Sequence, residues 1–158
     1  MRRRHAVLGL LAVAACAPAG IPPGAKTTVI LVRHADRAGE ILNAQGKARA
    51  ANLSEALVDY EIDAIYSPDI LRNLQTAEPL SQARGLPVSV IAKERAGAQM
   101  SRAHPNGTVI WIGNKGNLRT IWEELGAPGA APQEYGEIGI VTLGPTGPPE
   151  VARRVVLP

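Results

Sequence analysis

The stretch Thr27-Thr28-Val29-Ile30-Leu31-Val32-Arg33-His34-Ala35-Asp36-Arg37 decides the fold. Its first half is nearly continuous in apolar and β-branched residues, the signature of a strand buried on both faces. Its second half turns abruptly to charge, with a histidine between two arginines. A buried strand that empties into a polar turn is how an α/β sheet presents chemistry at its edge.

Working outward, Asn43 is suited to cap a helix running to about Val58, with Ala51, Leu53 and Leu57 among its apolar positions. Asp63–Ser67 reads as a second short strand, stopped by Pro68. Leu71, Leu74, Ala77 and Leu80 form a helical stripe that ends near Gly85. Val88–Ile91 is a third strand, and Ala92–Asn106 is a variable stretch with weak helical character in its middle. Asn106-Gly107 marks a turn, Thr108–Ile112 is the fourth strand, and Leu118–Leu125 is a helix closed by Gly126. Ile138–Leu143 and Val151–Leu157 are terminal strands joined by a Gly/Pro turn. Strands that alternate with helices predict a layered α/β sheet rather than a sandwich or a bundle.

Chemistry is therefore sought after each strand. The first is followed by Arg33, His34, Asp36 and Arg37, the second by Ser67-Pro68-Asp69 with Arg72 entering the next helix, and the fourth by Gly113-Asn114-Lys115. Guanidinium groups offer forked donors to phosphate, and a helix N-terminus adds backbone N–H groups. A histidine held among them is placed to attack phosphorus and form a phosphohistidine. Asp36 has two readings, a proton donor for the leaving alcohol or an ion-pair partner of Arg33 or Arg37. His104 precedes the fourth strand and so belongs at the opposite edge. No metal site and no cofactor are expected.

The 158 residues suit one domain. Aromatic residues make up only 3%, which argues against base-stacking recognition of nucleic acid. The formal charge of +3 comes from Arg2, Arg3 and Arg4; without them 14 basic residues face 14 acidic ones, and the electrostatic case for nucleic acid disappears. Those arginines open a segment, 1–15, that reads as a signal peptide: a positive n-region, then the apolar run Ala6–Ala15. It ends in Val13-Ala14-Ala15-Cys16, which resembles a bacterial lipoprotein signal, with Cys16 as the lipid-bearing residue. The single cysteine excludes a disulfide scaffold. Residues 16–26, rich in Pro, Gly and Ala, read as a tether, and 27–158 as the folded domain. The expected location is the periplasmic face of a bacterial membrane, with membrane contact through the N-terminal lipid alone.

Leu31-Val32-Arg33-His34-Ala35, Leu42-Asn43-Ala44-Gln45-Gly46 with Ala48-Arg49-Ala50, and Ile62–Asp69 through Leu71–Ala77 together resemble the histidine phosphatase superfamily, over roughly Thr27 to Leu157. The resemblance implies a phosphoglycerate mutase-like fold, a three-layer α/β/α sandwich around a mostly parallel sheet. It implies His34 as the phosphate acceptor, Arg33 and Arg72 as phosphate-binding arginines, and a small phosphorylated substrate. Glu94 falls in the segment where many members keep their acid.

One position departs from the family. Where the family has Gly-His-Ser after the fourth strand, this chain has Gly113-Asn114-Lys115. Asn114 donates an amide hydrogen bond to phosphate but carries no positive charge. By analogy with a lost oxyanion donor the change costs ~2–4 kcal/mol of transition-state stabilisation, or ~10²–10³ in rate. Lys115 is the neighbour able to restore charge, or else a solvated surface lysine. Two functions follow: a weak or specialised phosphomonoesterase acting through phospho-His34, or an impaired pseudophosphatase that binds phosphorylated ligands.

Overall fold

The computed structural model describes residues 21–22 and 24–158, so the signal segment, Cys16 and most of the tether lie outside the described residues. A six-stranded sheet has the order β5-β4-β6-β1-β7-β8. Its strands are β1 (Thr27–Arg33), β4 (Ala64–Ser67), β5 (Val88–Val90), β6 (Thr108–Gly113), β7 (Glu137–Leu143) and β8 (Glu150–Val155). A second, two-stranded ribbon pairs β2 (Arg37–Ala38) with β3 (Ile41–Leu42). The helices are α1 (Ala44–Ala56), α2 (Leu71–Arg84), α3 (Ala96–Ala103) and α4 (Lys115–Glu124).

β1, β4, β5 and β6 run parallel, while β7 pairs antiparallel with β1 and β8 antiparallel with β7. Alternation along the central strands divides the core in two. Val29, Leu31, Val109 and Trp111 face Met100, Leu118, Ile121 and Trp122 of α3 and α4. Ile30, Val32, Ile110 and Ile112 face Leu53, Leu57, Ala77 and Leu80 on the side of α1 and α2. The sheet is buried on both sides, which is why β1 and β6 carry unbroken apolar runs. This is the expected three-layer α/β/α arrangement.

Local chemistry explains where the elements begin and end. Asn43 caps α1 by accepting from the Gly46 N–H at 2.8 Å. Gly85 closes α2 in the left-handed conformation, at φ 65°, with its N–H bonded to Ser81.

Several sequence expectations are corrected in detail. Ala51 is exposed, and the inner face of α1 is Gly46, Arg49, Ala50 and Leu53. Leu71 is exposed, whereas Asn73 and Thr76 are buried, because the start of α2 serves the site rather than the core. α4 begins three residues before the expected Leu118, since Asn114 caps it. The tether boundary also moves: Ala25 is buried and Lys26 donates its N–H to Asn106 Oδ1 at 3.0 Å, so the chain is docked before Thr27. The β2–β3 ribbon was unexpected.

Candidate active site

The parallel strands β1, β4 and β6 end on one edge of the sheet. There Arg33 stands in register with Gly113, and the His34 N–H donates to the Gly113 carbonyl at 2.7 Å. His34 is only 3% exposed. Its Nδ1 lies 2.9 Å from the Ala35 carbonyl oxygen. A carbonyl only accepts, so Nδ1 carries the proton and Nε2 keeps its lone pair. Burial lowers the imidazole pKa, the Ala35 bond partly offsets this, and the charges of Arg33, Arg72 and Arg37 lower it further, to about 4. At neutral pH the ring is uncharged and Nε2 is free to act as a nucleophile.

The two flanking arginines are held from different elements. Arg33 donates through Nη1 to the Gln133 carbonyl at 3.1 Å, and its guanidinium stacks on Tyr135, 3.9 Å from the ring centroid. Tyr135 also lies over His34, the rings tilted with centroids 5.8 Å apart. Glu137, at the start of β7, shapes this loop by accepting from the N–H groups of Gln133 and Glu134 at 2.8 and 3.0 Å. Those bonds hold its carboxyl below the usual carboxylate range. Arg72 sits in the first turn of α2. Thr76 Oγ1 donates to the Arg72 carbonyl at 2.8 Å and accepts from the Ala35 N–H at 3.0 Å, so it fastens this helix start to the histidine turn. Arg72 Nη1 meets Glu40 Oε2 at 2.7 Å, and Glu40 is largely exposed at the tip of the β2–β3 ribbon. A carboxylate thus already occupies one donor of Arg72.

Five buried side-chain polar atoms lack a partner among the described residues, and four gather at this edge: Arg33 Nε, Arg72 Nε, Asn73 Oδ1 and Asn117 Nδ2. A buried donor without a partner costs about 1–3 kcal/mol, so such a concentration marks a place built to receive polar groups. The charges of Arg33 and Arg72 act on a neutral imidazole, a combination whose chemistry suits a tetrahedral oxyanion.

The remaining predicted residues fall out differently. Asp36 is salt-bridged to Arg49, Nε to Oδ2 at 2.7 Å and Nη2 to Oδ1 at 3.4 Å. Burial alone would raise its carboxyl, but the Arg49 and backbone hydrogen bonds and the Arg49 and Arg33 charges outweigh that and leave it below the usual range. An ionised, doubly held carboxylate is no proton donor, and its partner is Arg49 rather than Arg33 or Arg37. Asn114 follows β6 beside His34, yet its Oδ1 accepts from the Asn117 N–H at 3.3 Å, while Asn117 Oδ1 accepts from the Asn114 N–H at 2.9 Å. This reciprocal cap leaves the Asn114 amide nitrogen as the group it offers a ligand. Lys115 points to Glu134, Nζ to Oε1 at 3.1 Å, on the exposed surface. His104 lies at the other end of the sheet, bonded through Nε2 to Tyr66 Oη at 2.8 Å. Glu94 shares with Asn114 the wall of an open cavity of about 320 Å³. Among the described residues, no group of three His, Cys, Asp or Glu could hold a metal ion.

Tyr135, Gln133 and Glu40 were not singled out from the sequence, and Arg49 was quoted only as part of a motif, with no role at the site. The clue to Tyr135 was its rarity: it is one of three tyrosines in a chain without phenylalanine. Glu40 had no comparable signal, because the ribbon that carries it spans two residues per strand.

The sheet order and the strand-end site define a phosphoglycerate mutase-like α/β domain. The family model "Histidine phosphatase superfamily (branch 1)" matches residues 27–96. Over that stretch the chain is similar to the histidine phosphatase superfamily. Solved structures agree on the fold. The protein histidine phosphatase SixA complexed with tungstate aligns with a TM-score of 0.64 and 20% identity, over 81% of this chain and 96% of SixA. Phosphoglycerate mutase from Bacillus anthracis gives 0.66 and 14%, over 83% and 93%. Mycobacterial glucosyl-3-phosphoglycerate phosphatase gives 0.56 and 15%, over 82% and 97%. No curated protein matches the sequence.

Proposed function

We propose that the protein is a slow phosphomonoesterase acting through a phosphohistidine at His34. The observation that carries this reading is the imidazole itself: neutral, protonated on Nδ1 by its bond to Ala35, and flanked by two arginines with unpartnered buried Nε–H groups. The match of residues 27–96 to the histidine phosphatase superfamily model supports it, as does a SixA neighbour described with tungstate, a tetrahedral oxyanion.

In the first step the Nε2 lone pair forms a bond to phosphorus. The ester P–O bond breaks, and its electrons go to the departing oxygen, which takes a proton from Glu94. Arg33, Arg72 and the Asn114 amide hold the three non-bridging oxygens. In the second step water attacks phosphorus, Glu94 takes the water proton, and the P–N bond returns its electrons to Nε2, releasing phosphate. Asn114 supplies hydrogen bonding without charge, so the transition state is under-stabilised and turnover is slow.

A second reading, a phosphate-binding module without turnover, is favoured by that same residue. Asn114→His separates the two. It should raise phosphate release from 4-nitrophenyl phosphate about tenfold or more, because an imidazolium beside the anion restores charge at the position after β6. The gain comes with a stability loss of about 1 kcal/mol, since histidine lacks the Oδ1 that accepts from the Asn117 N–H, while the backbone half of the cap remains. A variant that folds, binds orthovanadate and gains no activity would favour the binding module.

We further propose that the protein is exported and lipid-anchored through Cys16, on the strength of the signal-like segment before it. Cys16→Ser should move the processed protein from the membrane to the soluble fraction. Unchanged membrane association would rule the anchor out.

A further inference from the structure

We propose that Tyr135 is a positioning residue of this site: its ring fixes the Arg33 guanidinium and covers one side of the His34 imidazole. The inference deepens the reading of His34 as nucleophile and Arg33 as anion ligand, and rests on it.

The geometry starts from the ring. Arg33 Cζ lies 3.9 Å from its centroid, and the His34 ring centroid lies 5.8 Å away at an interplanar angle of 59°. The first distance is well inside the ~6 Å reach of a cation–π contact, and the second is in the ~4.5–7 Å range of aromatic pairs. One side chain therefore packs against both the arginine and the histidine. It does so instead of filling the core. The chain has three tyrosines, two tryptophans and no phenylalanine. Tyr66, Trp111 and Trp122 belong to one apolar cluster and Tyr60 packs against the other, whereas Tyr135 belongs to none.

An arginine on a flexible stem gives up rotamer freedom when it binds an anion, and a site gains affinity by ordering it in advance. Arg33 is ordered twice. The Gln133 carbonyl holds Nη1 at 3.1 Å, and Tyr135 covers a face of the guanidinium plane. An anchor on one edge and another on the face fix the orientation of a planar group. What is left is the Nε–H, buried and without a partner among the described residues, as a donor kept for a ligand. The effect on His34 is separate. The ring shares in the burial that is the largest cause of the lowered imidazole pKa.

Tyr135 can act as a brace because its own place is fixed. Glu137 accepts from the N–H groups of Gln133 and Glu134, and Gln133 Nε2 donates to the Lys115 carbonyl at 3.3 Å, at the start of α4. The next residue, Gly136, takes φ 86°, and a Cβ there would run into the Val156 carbonyl and the Arg49 guanidinium. The turn is thus set by groups on either side of the tyrosine, and a changed ring leaves it in place.

The test sets Tyr135→Leu, which keeps apolar bulk and removes the ring, against Tyr135→Phe, which keeps the ring. Orthovanadate affinity is read by titration calorimetry on the full chain in detergent, turnover by release from 4-nitrophenyl phosphate, and the imidazole by NMR titration. Tyr135→Leu should bind orthovanadate about tenfold more weakly and lose kcat/KM by a similar factor, and Tyr135→Phe should rescue most of both. The charged groups that act on His34 are Arg33, Arg72 and Arg37, while Asp36 in the same turn is held by Arg49. Uncovering the ring should therefore move its titration up from about 4 toward the ~6.5 of an exposed histidine, in Tyr135→Leu and not in Tyr135→Phe. Unchanged affinity and titration in Tyr135→Leu, or the same loss in both variants, overturns the brace. Orthovanadate binding without turnover in wild type overturns the phosphatase reading, and the affinities and titrations then decide the brace alone. Wild type that binds no orthovanadate overturns the pocket, and the brace with it.

Discussion

His34→Ala is expected to lower phosphate release by about 10³-fold or more, to the background of a protein without a nucleophile. The size of the loss follows from what the side chain supplies. Arg33 and Arg72 remain in the variant, so it should still bind orthovanadate. Binding and catalysis thereby separate, which a merely structural histidine would not do. The pH dependence carries the same signature. The imidazole reacts when neutral, and the pKa of about 4 keeps it neutral through the physiological range. In wild type, kcat/KM should therefore fall as pH drops through about 4, once the substrate's own phosphate ionisation is allowed for. An unperturbed histidine would lose activity from about 6.5 downward.

Arg49→Ala is expected to destabilise the fold by about 3 kcal/mol, because it leaves Asp36 as a buried carboxylate without its partner. Both side chains are nearly buried, at 10% and 12% exposure, and Arg49 also donates through Nη1 to the Val156 carbonyl at 2.5 Å. One guanidinium therefore ties α1, the turn after His34 and the end of β8 together. Thermal unfolding should show a drop of roughly 10 °C. The sign of the pH effect is fixed by the shift in Asp36. Its carboxyl lies lower in the folded state than in the unfolded chain, so the pair stabilises above the usual carboxylate range. That contribution is lost as pH falls through the folded value, and the gap between wild type and variant should narrow in acid. A gap that stays constant would mean that Arg49 acts through packing alone.

The sheet was legible because burial on both faces writes itself into β1 and β6 as continuous apolar runs. The site was legible where backbone topology places it, directly after those strands: His34, Arg33, Arg72 and Asn114 are all strand-end or helix-start residues. What escaped depends on tertiary pairing that has no local period. Asp36 is as close in sequence to Arg33 and Arg37 as to anything, yet its partner is Arg49, thirteen residues on and one helix turn inside α1. Arg49 sits on the buried face of that helix, where pattern reasoning expects an apolar residue. Tyr135 reaches Arg33 across 102 residues of sequence, through a loop whose shape is set by the Glu137 carboxylate. Glu40 reaches Arg72 from a ribbon too short to show strand alternation. The correct start of α4 was recoverable in principle, since Asn114 and Asn117 have cap spacing.

The central claim is the covalent phosphohistidine. Its most direct measurement mixes the protein with a phosphomonoester, quenches in alkali, where phosphohistidine survives, and maps the phosphorylated residue by mass spectrometry with ³¹P NMR of the adduct. The account predicts one phosphoryl group on the peptide containing His34, bonded at Nε2, absent from His34→Ala and accumulating to a different level in Asn114→His. Phosphate release without a phosphoryl group on His34, or with one on another residue, would contradict it.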